Sequence, residues 1–277
     1  MMKADINGHS LNYVVQGSDN GLPVVFIHGF PFNHRMWGPQ LKALPHRCRA
    51  IAYDVRGHGD SEVGHGQYTV ELFVDDLIGL LDHLAVDRAV VCGLSMGGYI
   101  ALRAVERHSE RFRGLVLCDT RSEADTNEAK VKRAETIAAV GSHGVAAFAG
   151  EFVKLVLAPR TLETNPAVVE MVKEMILATD PLGVCGTLLA LAARTDTTTA
   201  LPAMNLPALI MVGELDTLTP PADAQAMARA LPEAELHVIP DAAHMSNLEN
   251  PAVFNEKLLG FLGILATNPP AGGRIGT

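Results

Sequence analysis

The chain has 277 residues and a formal net charge of −9, with 48% hydrophobic and 19% charged residues. This composition is typical of a globular enzyme, and the length allows one large domain with an inserted subdomain. The negative charge argues against nucleic acid or an anionic membrane surface as a partner. The one short basic cluster, at 130–133, is offset by Glu128 and Glu135, which indicates a solvated helix face.

Short apolar runs predict the strands of a sheet. Residues 3–7 and 11–16 form a predicted hairpin, because Asn-Gly at positions 7–8 is a strong turn signal. Further strands are predicted at 24–27, 48–53, 89–92, 115–118, 208–212 and 236–239. Because these later runs are apolar without alternation, we expect them to be buried on both faces, as in a mostly parallel sheet.

Stretches of helical spacing separate the strands, as for Phe73, Leu77 and Leu81. Strands alternating with helices indicate a doubly wound α/β fold. Residues 121–204 contain helical patterns only, near 126–140, 144–157, 166–178 and 181–193. The sequence therefore predicts a core of residues 1–120 and 205–266, a helical cap at 121–204 and a disordered tail at 267–277.

A Gly-x-Ser-x-Gly motif at 93–97 follows the apolar run at 89–92, and a helical pattern begins directly after it. This setting is typical of a serine on a sharp turn, with its hydroxyl exposed at the end of a buried strand. Gly93 and Gly97 allow such a turn to close because they lack a Cβ. The alternative is an ordinary strand-to-helix turn in which Ser95 caps the helix.

A nucleophilic serine requires a base, and the base requires an orienting acid. Glu214 and Asp216 follow the strand at 208–212, and His244 follows the strand at 236–239. Carboxyl ends of parallel strands meet at one edge of a sheet, so these groups are expected to converge with Ser95. Glu214 and Asp216 lie two residues apart, and spacing alone does not separate them. His237 and Glu235 lie two residues apart, on the same face of a short predicted strand, and that face is predicted to be exposed to solvent. This favours His244 as the base.

The oxyanion of an acyl-transfer reaction requires hydrogen-bond donors that are already in place. The N–H of Met96 is one candidate, because it lies at the start of the helix that follows Ser95. The N–H of Phe30 is the second candidate, because it lies in the loop after the strand at 24–27. His28 in the same loop is interpreted as a bracing residue, and His58 and His65 as structural residues.

Five segments together resemble the α/β-hydrolase superfamily: 28–30, 54–61 (Asp-Val-Arg-Gly-His-Gly-Asp-Ser), 93–98, 213–216 and 243–244. Within this superfamily, the segments at 92–98 and 115–120 are most similar to 3-oxoadipate enol-lactonases and related carboxylesterases. The resemblance implies an α/β-hydrolase fold with Ser95 as nucleophile, Asp216 as acid and His244 as base. Relatives that cleave carbon–halogen bonds or epoxides use Asp as the nucleophile, so Ser95 argues against both reactions.

The predicted function is hydrolysis of small carboxylic esters or lactones through an acyl-enzyme. An N-acyl-homoserine lactonase and a C–C bond hydrolase use the same triad and stay open as alternatives, as does a non-catalytic ligand receptor on the same fold. Neither an H-x-H-x-D-H nor an H-E-x-x-H spacing is present, so no metal or other cofactor is expected. The expected partner is a small-molecule substrate, and a homodimer is left open.

Apolar side chains on the cap helices are candidates for the substrate pocket. Those proposed for substrate binding are Phe32, Trp37, Phe148, Phe152, Met171 and Met175. Leu155 and Leu188 belong to the same apolar stripes. Each of these side chains has the alternative role of packing the cap on the sheet.

The sequence also predicts a cytoplasmic location. Residues 1–7 contain no long apolar core, and no window approaches about 18 uninterrupted apolar residues, so neither an export signal nor a membrane helix is expected. The four cysteines show no C-x-x-C spacing and are interpreted as free thiols, as in a reducing compartment.

Overall fold

The computed structural model describes residues 2–267, in which strands and helices alternate. The strands are β1 (Met2–Ile6), β2 (His9–Gly17), β3 (Leu22–Ile27), β4 (Cys48–Tyr53), β5 (Ala89–Leu94), β6 (Phe112–Cys118), β7 (Ala208–Gly213) and β8 (Ala234–Ile239). The helices are α1 (Gly38–Ala43), α2 (Val70–His83), α3 (Met96–Arg107), α4 (Asn127–Val156), α5 (Pro159–Thr164), α6 (Pro166–Leu177), α7 (Pro181–Ala192), α8 (Pro221–Ala230), α9 (Ser246–Glu249) and α10 (Pro251–Thr267). The tail predicted at 267–277 lies outside the described residues, except for Thr267, which ends α10.

The strands form one sheet in the order β1-β2-β4-β3-β5-β6-β7-β8. The pairs β1–β2 and β2–β4 are antiparallel, and the pairs from β4–β3 to β7–β8 are parallel. The predicted N-terminal hairpin and the mostly parallel sheet are therefore confirmed. The carboxyl ends of β3, β5, β6, β7 and β8 lie along one edge of this sheet, where the loops gather.

The central strands are buried as their apolar sequences require. Every residue of β5 and of β7 is buried. The edge strand β8 departs from the expectation of two-sided burial, since Val238 is 45% exposed. No strand within residues 2–267 pairs with its outer edge, so the apolar run at 236–239 predicts a strand but not how deeply that strand is buried.

The helices α4 to α7 connect β6 to β7, and α4 packs against α6 and α7. The helices predicted at 126–140 and 144–157 form the two halves of α4, and those predicted at 166–178 and 181–193 are α6 and α7. The short helix α5 between them was not predicted. The break expected at 141–142 lies at Gly144, whose φ of 75° and ψ of 175° interrupt α4. Glycine tolerates this left-handed conformation without a Cβ clash, which explains why the helix bends there.

By length and composition alone, α4 is apolar enough to cross a membrane, and α6 and α7 pass the same test only as a pair bent by 92°. No membrane-spanning helix was predicted from the sequence at these positions. Because α4 is interrupted at Gly144 and carries Lys130, Lys132 and Arg133 on its first half, we interpret it as a helix of the fold.

The turn after β5 should tolerate no side chain at Gly93, because a Cβ there would overlap the carbonyl group of Gly97. We expect Gly93→Ala to lower the free energy of unfolding by about 3 kcal/mol, through overpacking against backbone. Gly141 in α4 is the matched control, because a Cβ there would meet nothing within 4 Å. Gly141→Ala should raise the free energy of unfolding by about 0.5–1 kcal/mol. Urea denaturation measures both, and equal effects at the two glycines would contradict this account of the turn.

Candidate active site

Ser95 occupies the turn between β5 and α3, with φ 55° and ψ −114°. Its N–H donates to the Cys118 carbonyl at 2.9 Å, so β6 supports the turn. A Cβ at Gly97 would overlap the Ile27 carbonyl, so only glycine allows α3 to begin this close to β3. The Ser95 side chain caps no N–H of α3, which removes the helix-cap alternative. Its hydroxyl lies at the loop edge of the sheet.

The structure brings Ser95, His244 and Asp216 into one hydrogen-bonded chain. His244 Nε2 lies 2.9 Å from Ser95 Oγ, and His244 Nδ1 lies 2.8 Å from Asp216 Oδ2. His244 and Asp216 are each only 3% exposed, so water competes little for these contacts. This is the geometry in which an imidazole can take the serine proton while a carboxylate orients the ring.

The Asp216 carboxylate is held by its own loop as well as by His244. The N–H groups of Leu218 and Thr219 donate to Oδ1 at 2.8 and 3.1 Å, and the Thr219 hydroxyl donates to Oδ2 at 2.7 Å. Burial alone raises the pKa of Asp216, but His244 and the Thr219 hydrogen bonds outweigh burial and hold that pKa below its usual value. Thr219 was not predicted as a site residue from the sequence, although its position three residues after Asp216 is a common spacing for such a turn.

The alternative acid, Glu214, and the alternative base, His237, take no part in this hydrogen-bonded chain. Glu214 is exposed, and its carboxylate accepts only a 3.4 Å hydrogen bond from the Asp241 N–H among the described residues. His237 Nε2 lies 2.6 Å from Glu235 Oε1 on the exposed strand β8. Neither group contacts His244, so geometry separates the candidates that sequence spacing left open.

The loop that carries Phe30 passes directly beside Ser95. A Cβ at Gly29 would lie 3.4 Å from Ser95 Cβ and 3.3 Å from the Leu94 carbonyl oxygen. The Phe30 N–H donates no hydrogen bond within residues 2–267. Met96 is the first residue of α3, where the positive end of the helix dipole lies. Phe30 and Met96 therefore stay the predicted oxyanion donors.

The other histidines of this edge have structural contacts. His28 Nε2 accepts the Val55 N–H at 2.9 Å, and burial lowers the pKa of His28 to about 4. The Nδ1 of His58 donates to the Arg56 carbonyl at 3.1 Å, and burial lowers the pKa of His58 to about 3. Both rings are therefore neutral braces. Residues 2–267 contain no group of three or more His, Cys, Asp or Glu side chains arranged to hold a metal ion.

A cavity of about 450 Å³ lies above Ser95 and His244. Phe30, Phe148 and Phe152 form an aromatic wall, with ring centroids 4.9–6.1 Å apart. The remaining apolar lining includes Leu155, Leu188, Leu191 and Leu218. A larger cavity of about 600 Å³ lies at the amino ends of β7 and β8, far from the Ser95 hydroxyl.

Four of the six proposed substrate-binding side chains do not line the cavity above Ser95: Phe32, Trp37, Met171 and Met175. The Trp37 ring packs against Phe26, with centroids 5.1 Å apart, in the core. Phe32 is fully buried behind Phe152, and Met175 is fully buried in the cap. Apolar spacing identifies a buried helix face, but it does not distinguish packing from a cavity wall.

Charged side chains also line the cavity: Arg121, Lys132 and Arg133, here called the cationic wall, and the carboxylate of Glu151. Arg133 forms an ion pair with the buried Asp125. Lys130 and Lys132 are exposed, as predicted for a solvated helix face, whereas Arg133 is half-buried, and both Lys132 and Arg133 also line the cavity.

Residues 23–251 match the family model of the alpha/beta hydrolase fold. It is 29% identical over 246 residues to 3-oxoadipate enol-lactonase 2 of Acinetobacter baylyi, which covers 89% of this chain and 90% of that protein.

Solved structures are similar over nearly the whole chain. A thermophilic esterase from Thermogutta terrifontis, with malate bound, has a TM-score of 0.91 at 36% identity and covers 96% of this chain and 98% of its own. Est816, described as an N-acyl homoserine lactone degrading enzyme, has a TM-score of 0.79 at 30% identity and covers 94% of this chain and 100% of its own.

The two acidic residues after β7 should differ in their effect on the reactivity of Ser95. Asp216→Asn should slow labelling of Ser95 by a fluorophosphonate about 1,000-fold or more, because the amide favours the wrong imidazole tautomer. Glu214→Gln is the matched control and should change the rate less than about 2-fold, because Glu214 lies outside the hydrogen-bonded chain. Labelling time courses followed by mass spectrometry measure both rates. A larger loss from Glu214→Gln would reverse the assignment of the acid.

Proposed function

The chain belongs to the α/β-hydrolase family, and we propose that it hydrolyses small carboxylic esters or lactones through an acyl-enzyme on Ser95. The observation that carries this proposal is the hydrogen-bonded chain from Asp216 through His244 to Ser95, at the floor of a cavity of about 450 Å³. A serine hydroxyl is a weak nucleophile until a positioned base can remove its proton.

In the first half of the reaction, Ser95 Oγ attacks the substrate carbonyl carbon while His244 Nε2 takes the hydroxyl proton. Asp216 orients the imidazole through Nδ1 and stabilises the imidazolium as it forms. The N–H groups of Phe30 and Met96 donate to the oxyanion of the tetrahedral intermediate. The intermediate then collapses, and the imidazolium returns its proton to the leaving alkoxide.

In the second half, His244 Nε2 removes a proton from water, and the resulting nucleophile attacks the acyl group on Ser95. Collapse of this intermediate releases a carboxylic acid and restores the Ser95 hydroxyl. With an ester the alcohol leaves before this step. With a lactone the alcohol stays joined to the acyl chain, so the product is a hydroxy acid.

The two walls of the cavity support a substrate with an apolar part and an anionic end. Phe148 and Phe152 provide an apolar surface next to Ser95, which suits a short carbon chain. Lys132 has no carboxylate within ion-pair distance among the described residues, whereas Arg121 and Arg133 share the carboxylate of Asp125. The Nε of Arg121 is buried without a hydrogen-bond partner among the described residues. We therefore favour acyl groups that end in a carboxylate.

We also propose a cytoplasmic location. The four cysteines are unpaired thiols, three of them buried. Free thiols persist in reducing compartments, which supports this location. Cell fractionation with an antibody to the chain tests it.

Replacement of the nucleophile tests the reaction itself. Ser95→Ala should lower kcat for 4-nitrophenyl esters by at least about 1,000-fold, since the residual rate comes only from binding and oxyanion stabilisation. The thermal midpoint should change little, because Ser95 is only half-buried and loses one oxygen. Circular dichroism provides the folding control. Retention of activity by the purified variant would disprove the assignment of the nucleophile.

A substrate panel of 4-nitrophenyl esters, γ-lactones and N-acyl-homoserine lactones also separates the alternatives. Turnover of N-acyl-homoserine lactones in preference to esters would move the assignment to that lactonase class. A non-catalytic receptor would bind the same small molecules without turnover, and its Ser95 would not react with a fluorophosphonate.

The cationic wall should determine the preference between charged and neutral acyl groups. We expect Lys132→Met to lower kcat/KM for mono-4-nitrophenyl glutarate about 2- to 5-fold, as for an exposed ion pair, while leaving 4-nitrophenyl valerate unchanged. The two esters have equal acyl length and differ in the terminal carboxylate. Lys130→Met is the matched control, because Lys130 lies on the same helix outside the cavity lining. Equal effects of both variants on both esters would contradict the proposed anionic end.

A further inference from the structure

The carboxyl group of Asp119 has no part in the reaction described above, yet it is fully buried beside the active site. Asp119 follows Cys118, the last residue of β6, and has a φ of 44°. Positive φ is uncommon outside glycine, and surrounding contacts must hold it. Its own N–H donates to the Met211 carbonyl of β7 at 2.9 Å, which fixes the backbone at this point.

The two carboxyl oxygens of Asp119 contact two different loops. Oδ1 accepts the Gly213 N–H at 2.7 Å, and Oδ2 lies 2.5 Å from the hydroxyl oxygen of Ser246. Gly213 ends β7 and accepts the Asp216 N–H at 3.1 Å, so it begins the loop of the acid. Ser246 is fully buried and follows His244 by two residues, so it ends the loop of the base. One side chain thus joins both loops.

We propose that Asp119 is a positioning residue that sets His244 relative to Asp216, and that it does so as a neutral carboxylic acid. This inference rests on the proposed function, because it concerns the geometry of the same site. Asp119 acts through Ser246 and Gly213 and touches neither the substrate nor the reacting atoms.

The surroundings of Asp119 favour the neutral form. No Lys, Arg or His side chain among residues 2–267 lies within ion-pair distance of it, and its two partners are an amide and a hydroxyl. Burial and the carboxylates of Asp216 and Glu249 raise the pKa of Asp119 well above its usual range, against the opposing effect of those two hydrogen bonds. In the neutral form, Oδ2 carries the proton and donates it to Ser246 Oγ, while Oδ1 accepts from Gly213. A neutral Asp119 leaves Asp216 as the charged partner of His244.

Backbone hydrogen bonds also connect the two loops. The Leu215 N–H donates to the Ala242 carbonyl at 2.8 Å, and the Glu214 N–H donates to the Ile239 carbonyl at 2.9 Å. These bonds hold the chain before His244, whereas Ser246 holds the chain after it. The contact of Asp119 with Ser246 therefore ties the chain after His244 to Gly213, the residue from which the Asp216 loop begins.

The test measures the rate at which a fluorophosphonate labels Ser95, together with kcat and KM for a 4-nitrophenyl ester. Asp119→Ala should slow labelling and lower kcat about 10- to 100-fold with KM unchanged, because a displacement of about 1 Å is enough to disable a catalytic contact. Asp119→Asn should stay within about 3-fold of wild type, because its amide can accept from Gly213 and donate to Ser246.

Asp76→Asn is the control for loss of a buried carboxylate, because Asp76 pairs with Arg56 away from the triad. It should lower thermal stability without slowing the labelling of Ser95. If Asp119→Ala is destabilised but labels at the wild-type rate, Asp119 has only a structural role and the proposal is wrong. If Asp119→Asn is as slow as Asp119→Ala, the neutral form is wrong.

Ser246→Ala covers the case in which Asp119→Ala fails to fold. It removes the same contact from the other loop and should slow labelling about 10-fold. A wild-type rate for Ser246→Ala would overturn the proposal. The two proposals fail in different ways. If wild-type protein labels at Ser95 but hydrolyses no ester or lactone, the proposed substrates are wrong, and the labelling rates of the variants still test the role of Asp119.

Discussion

The left-handed backbone of Ser95 is the constraint on which the rest of the site depends. A non-glycine residue in such a conformation costs about 1–3 kcal/mol and persists only where surrounding contacts hold it. Here the Ser95 N–H donates to the Cys118 carbonyl at 2.9 Å, and the Thr120 hydroxyl donates to the Ser95 carbonyl at 2.8 Å. Gly97 allows the turn to pack directly on Ile27 of β3. The direction of the nucleophile therefore depends on the packing of three adjacent strands.

The end of β6 connects this turn to the acid and the base. Thr120 bonds to the Ser95 turn, and the preceding Asp119 joins the loops of Asp216 and His244. Glu249 adds a link to the cap: its Oε1 accepts the Ala243 N–H at 2.8 Å, and its Oε2 accepts the Ala158 N–H at 2.7 Å before α5. The base is thus held from the sheet on one side and from the cap on the other.

The sequence predicted what depends on local pattern and on chain order. Continuous apolar runs predicted the strands, and the motif around Ser95 predicted a turn whose shape requires small residues. Asp216 and His244 followed from their positions after strands, although spacing alone did not separate Asp216 from Glu214. That separation depends on which carboxylate reaches the imidazole, and the 2.8 Å contact of Asp216 is a property of the folded loop.

The sequence could not predict what depends on the contact of distant segments. In the sequence, Thr219 and Asp119 are ordinary polar residues. Their roles depend on contacts that form only when their loops pack against the His244 loop in the folded protein. Trp37 and Met175 have the same apolar character as Phe152, and only the path of the folded chain decides which of them faces the cavity. Lys132 has the spacing of a solvated helix residue, and it becomes part of the cavity because α4 passes over Ser95.

Trapping of the acyl-enzyme tests the central claim most directly. Wild-type protein mixed with a 4-nitrophenyl ester and quenched in acid within milliseconds should carry one acyl group, and peptide mass spectrometry should locate that group on Ser95. The adduct should form at the rate of the 4-nitrophenol burst and decay at the rate of steady-state turnover, as the two-step mechanism requires. An adduct on another residue, or turnover with no adduct at any quench time, would contradict the account.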